Sequence, residues 1–68
     1  MDKNYNNHFV FVLRDWRLDQ GFHIRNMSIW NALDRFIEFL DEKQIIFHET
    51  DVYAYNYIEK YDLYILID

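Results

Sequence analysis

The chain has 68 residues, a net charge of −5, no cysteine, no proline and one glycine. The missing cysteines exclude a disulfide scaffold and a thiolate zinc site. A hydrophobic content of 51% argues against disorder. A single domain over residues 1–68 is expected, burying about 60% of its unfolded surface, with a stability margin of a few kcal/mol. Six Phe, six Tyr and two Trp supply its apolar mass.

The charge is uneven. Residues 1–27 carry a net +1 and residues 28–68 a net −6. Such a second half repels a phosphate backbone, which argues against direct nucleic-acid binding.

Residues 1–7 are polar and asparagine-rich and read as a flexible arm. The apolar run Phe9 to Leu13 that follows is too short for a signal peptide or a membrane span, so no membrane association and a cytoplasmic location are expected. Its mixture of β-branched and aromatic residues predicts a strand buried on both faces, central in its sheet. A mixed-charge turn around Gly21 comes next, then a short strand at Phe22 to Arg25.

The segment SIWNALDRFIEFLDEK predicts an amphipathic helix of about four turns. Ser28 is its N-cap, because a serine hydroxyl accepts from the open N–H groups of a first helical turn. Ile29, Trp30, Leu33, Phe36, Ile37 and Leu40, flanked by Ala32 and Phe39, form the apolar half. Asn31, Asp34, Arg35, Glu38, Asp41 and Glu42 form the other.

QIIFHE is a further strand candidate, turned back by Thr50 and Asp51. In residues 51–61 helix and strand compete. A helix would line up Tyr53, Tyr57, Tyr61 and Tyr64. Two strands would instead put Tyr53, Tyr55, Tyr57 and Tyr64 on one face. Val52, Ala54, Asn56, Ile58, Leu63, Ile65 and Ile67 would share the other, given an even-length turn near Glu59–Asp62. Tyrosine and β-branched residues favour the hairpin. The expected fold is therefore α+β: a small antiparallel sheet of three to five strands with one amphipathic helix on one face. The helix is expected over the aliphatic hairpin face, and another chain over the tyrosine face.

Catalytic and metal-binding patterns are weak. His8, His23 and His48 are scattered without helical ligand spacing. The stretch from Asp15 fails as a calcium loop, since its third position is Arg17 and its twelfth is Asn26. The only serine is occupied as a cap, and one glycine does not make a phosphate loop. His23, beside Phe22, Ile24 and Arg25, is the residue an acid/base role would use. No catalytic residue, metal or cofactor is expected.

Binding is the better expectation. Asp34, Glu38, Asp41 and Glu42 form an acidic ridge whose like charges at i,i+4 are mildly destabilising. Together with Tyr53, Tyr55, Tyr57 and Tyr64, they are the expected contacts for a protein partner with a basic surface, or for a second copy in a homodimer. In size, negative charge and aromatic content the chain is similar to small acidic inhibitors that phages and mobile elements direct against nucleic-acid enzymes, including anti-CRISPR and DNA-mimic proteins. The resemblance is one of type, with no family motif behind it. It implies a non-catalytic inhibitor or regulator, the alternatives being a homodimeric structural or regulatory module and a small toxin-like nuclease.

Overall fold

The computed structural model describes residues 7–26 and 28–67. The predicted arm lies outside these residues except for Asn7, which already belongs to the first strand. Strand β1 (Asn7–Leu13) and strand β2 (Phe22–Asn26) form an antiparallel pair. Helix α1 (Ile29–Glu42) leads back across the sheet to strand β3 (Val52–Ile58), and strand β4 (Leu63–Ile67) completes it. The order is β2-β1-β3-β4, antiparallel throughout, which makes this a small α+β fold with one α-helix among the described residues. No helix among the described residues is long and apolar enough to cross a membrane.

β1 is central, as its composition predicts. Phe9, Phe11 and Leu13 point toward α1 and pack with Ala32, Phe36 and Leu40. Phe36 anchors this core: its ring lies 5.3 Å from Phe11, 5.6 Å from Phe22 and 5.8 Å from Trp16. Val10 and Val12 face the opposite way and are buried too. What covers them from that side is partly the turn at Gly21. A Cβ there would come within 2.5 Å of Val10 Cγ1 and 3.0 Å of Val12 Cγ1. The tyrosine side of β1 is thus partly covered at Val10 and Val12 by the chain's own turn, where another chain was expected.

Helix α1 begins as expected. Ser28 Oγ accepts from the backbone N–H groups of Trp30 and Asn31, and the Ser28 N–H donates to Asn26 Oδ1. It ends in a Schellman turn. The Ile45 N–H donates to Leu40 O, the Gln44 N–H donates to Asp41 O, and Gln44 takes the left-handed conformation usually given to glycine. That turn corrects the strand expected at QIIFHE, because residues 45–48 form no ladder. Ile45 and Phe47 pack on the core while Ile46 is 94% exposed, so the apolar alternation belongs to an unpaired strap.

Competition in residues 51–61 resolves as the hairpin. Ala54 pairs with Ile67, Asn56 with Ile65, and Tyr57 with Tyr64, which gives the expected partition into an aliphatic and a tyrosine face. Asp62, in the left-handed region, closes the turn.

The position of the helix departs from expectation. α1 packs on β1 and β2 rather than over the hairpin. The aliphatic face of the hairpin is therefore only half covered, and Ile58, Leu63 and Ile65 are exposed. Trp30, in the apolar half of the helix, is 73% exposed.

Candidate protein-binding surface

The sheet's helix-bearing side is open beyond α1. A groove of about 600 Å³ runs there. Ile29, Trp30, Leu33 and Ile37 form its helical wall, Val52, Ala54 and Ile67 its floor, and Phe47 and Glu49 close it from the strap. Ile65 continues the floor, 47% exposed. Ala54 gives the groove depth, since its neighbours across the ladder, Phe11 and Ile67, are much larger.

The groove follows from the helix's angular pattern. At 100° per residue, Ala32, Phe36 and Leu40 centre on the sheet. Phe39 lies to one side of them, its ring 4.9 Å from Phe22 on β2. Leu33, Ile37 and Trp30 lie progressively further to the other side, toward β3 and β4. An apolar arc covering half the helix is wider than the two strands beneath it require.

The acidic ridge adjoins this wall. Asp34 follows Trp30 by four residues and Asp41 follows Ile37 by four, so each carboxylate is the surface neighbour of a groove residue. Asp34, Glu38, Asp41 and Glu42 are all exposed. Glu38 accepts from Arg35 Nη1 at 3.3 Å, while the other three have no salt-bridge partner among the described residues. Among the described residues no lysine or arginine lines the groove.

Tyr53, Tyr55, Tyr57 and Tyr64 occupy the opposite face and are half-buried, partly by one another. Tyr64 contacts Tyr57 at 4.8 Å and Tyr55 at 6.2 Å between ring centres. Of the four, only Tyr53 also reaches the groove lining. As expected, the tyrosines and the acidic ridge of α1 lie on opposite sides of the sheet, so they cannot form one contiguous surface. Trp30, Leu63, Ile65 and Leu66, none of them among the expected contacts, are exposed apolar side chains. The usable signal was that a single helix cannot cover four strands.

A second cluster joins residues that sequence left apart. His8 Nε2 and His23 Nδ1 are 2.8 Å apart, one ring donating and the other accepting. Tyr57 stacks edge-on against both, 4.8 Å from His8 and 5.5 Å from His23. Its hydroxyl donates to Asp62 Oδ1 at 2.7 Å, which pushes its pKa up to about 12. Arg25, next to His8 in the ladder, donates to Glu59. His8 Nδ1 is buried with no hydrogen-bond partner among the described residues. Desolvation, then the charges of Arg25 and His23, hold the His8 pKa below its ordinary value. One ring N–H lies in the contact between the two rings, so a proton placed on the accepting nitrogen would remove this hydrogen bond. Among the described residues no group of three or more His, Asp or Glu is placed to hold a metal ion.

No protein-family model matches the chain, and neither the curated proteins nor the solved structures yield a match.

Proposed function

We propose that this chain is a non-catalytic protein-binding inhibitor or regulator whose partner presents a basic surface. One observation carries the proposal: the apolar groove beside α1 lies directly against the acidic ridge, with Trp30 exposed at their border. A contiguous exposed apolar patch with a charged rim is the usual anatomy of a contact site. Rim acids steer a basic partner in, and the apolar floor holds it. The type it best fits remains the small acidic inhibitors of nucleic-acid enzymes, anti-CRISPR and DNA-mimic proteins among them.

The test is kinetic. Once a partner has been isolated on the immobilised protein, Asp34→Lys with Asp41→Lys should slow its association by about tenfold at low salt, the lower end of electrostatic steering. The difference should shrink as salt rises. Measurable affinity of the free protein for duplex DNA or RNA at physiological salt, or a partner whose association ignores both salt and the two reversals, refutes the proposal.

A specific observation also favours the homodimeric reading. β4 is an edge strand without a charged residue, and Leu63, Ile65 and Leu66 on its two faces are about half exposed. Uncharged apolar edges are templates for pairing with another strand. Light scattering at rising concentration separates a self-paired dimer from a monomer awaiting a different partner.

A further inference from the structure

Four strands spaced about 4.8 Å apart span roughly 14 Å between the outer strand axes. Helices pack side by side at about 8–10 Å. Since α1 lies over β1 and β2, a second helix at normal packing distance would lie over β3 and β4, where the groove runs. We infer that this groove is the seat of one amphipathic α-helix, supplied by a protein partner, with Lys and Arg flanking its apolar stripe. The inference rests on the protein-binding reading above and specifies its mode.

Shape selects a helix. The groove has a wall, Trp30, Leu33 and Ile37, and a floor, Ala54 and Ile67, with Ile65 beyond. An extended peptide added to the edge of β4 would leave the wall uncovered. A helix laid along α1 covers wall and floor together, in the helix-in-groove manner.

Charge selects its flanks. Glu49 sits in the groove lining, and Asp34 and Asp41 adjoin the wall. A helix with cationic flanks neutralises these acids; an acidic one would add to them. A second copy of this chain is the poorer occupant. The only α-helix among the described residues already applies its apolar face to its own sheet, and its outward face is the acidic ridge.

The test uses the full chain and three synthetic peptides. The first is a four-turn peptide of Leu, Ala and Lys with leucines at helical spacing and lysines beside them. The second has the same composition in scrambled order, and the third alternates Ile and Lys as a strand would. Binding is followed by NMR at physiological salt, on the Trp30 indole N–H and the methyls of Leu33, Ile37, Ile65 and Ile67. The striped peptide should bind at least tenfold tighter than the scrambled one and shift these groups. Trp30→Ala, at an exposed position where the fold is not at risk, should weaken it about tenfold. Equal binding of striped and scrambled peptides, or shifts confined to Tyr55 and Tyr64, overturns the inference. If the alternating peptide binds tightest, the helix is wrong while the protein-binding reading stands. If no peptide shifts any residue, both fall.

Discussion

Replacing Gly21 by alanine puts one methyl group beside the central strand, against Val10 and Val12. The new Cβ would stand 2.5 Å from Val10 Cγ1, 3.0 Å from Val12 Cγ1 and 3.2 Å from Phe11 O. Carbon atoms in good contact are about 3.5–4.0 Å apart, so the shortfall at Val10 is roughly 1 Å. Val10 cannot easily give way, being fully buried in β1 between His23 and Tyr55 in the ladder. Overpacking of this kind costs about 1–3 kcal/mol. The Gly21 backbone (φ −69°, ψ 164°) suits alanine, which returns about 0.4–1 kcal/mol by restricting the unfolded chain. The net destabilisation is then about 1–2 kcal/mol, or a fall in Tm of roughly 5–15 °C for a domain this small. Thermal unfolding followed by circular dichroism measures it, and Val10→Ala supplies the control. The valine truncation opens the space that the new methyl needs, so the double variant should be more stable than the two single losses summed, by about 1 kcal/mol or more. A Gly21→Ala chain that melts at or above the parent temperature, or strict additivity with Val10→Ala, refutes the close approach.

The His8–His23 pair predicts a pH dependence of stability. His8 titrates below its unfolded value of 6.5, so its contribution is present above pH 6.5 and lost as pH falls through the folded value. The groups facing it are His23, Arg25, Tyr57 and Glu59. Tm should drop between pH 7 and pH 5, and His8→Gln should flatten that drop; an unchanged slope refutes the role of the pair. For Tyr57, phenolate absorbance should show one ring ionising near pH 12, with Asp62→Asn returning it toward its ordinary value of 10. The sign is opposite to that of His8: the raised pKa stabilises below pH 10 and ceases to do so as pH rises through about 12.

What could be read from sequence was local. Ser28 and the helix behind it depend on contacts within one turn, and the caps and spacing show them directly. The hairpin was legible because alternation over Val52–Ile58 and Leu63–Ile67 forces the same partition for any even turn. The β1 run was legible because a strand apolar on both faces must be central. Lateral position was not. The helical wheel shows that half of α1 is apolar, but which strands it covers depends on the lengths of two connections and on the fit of Phe36 between Phe11 and Phe22. Trp30 therefore falls in the apolar half of the helical wheel and is nonetheless exposed. His8 and His23 looked unrelated because fifteen residues separate them, yet an antiparallel β1–β2 pair sets Val10 opposite His23 and His8 opposite Arg25. Both histidines then fall on one face, two positions apart. The strand at Phe22–Arg25 was expected and is β2, but its register against β1 was not legible.

Charge and apolar exposure explain each other here. A small domain that leaves Trp30, Leu63, Ile65 and Leu66 open to water would be expected to associate with itself. A net charge of −5, the sum of +1 in residues 1–27 and −6 in residues 28–68, opposes that by repulsion between copies. The same field would attract a basic partner, so one distribution of acids would disfavour self-association and favour the proposed contact. Repulsion between copies and attraction to a basic partner are both screened beyond about 8 Å at physiological ionic strength, whereas burial of the groove is not. Added salt therefore acts on the two readings with opposite sign: it promotes pairing of copies through β4 and slows capture of a basic helix.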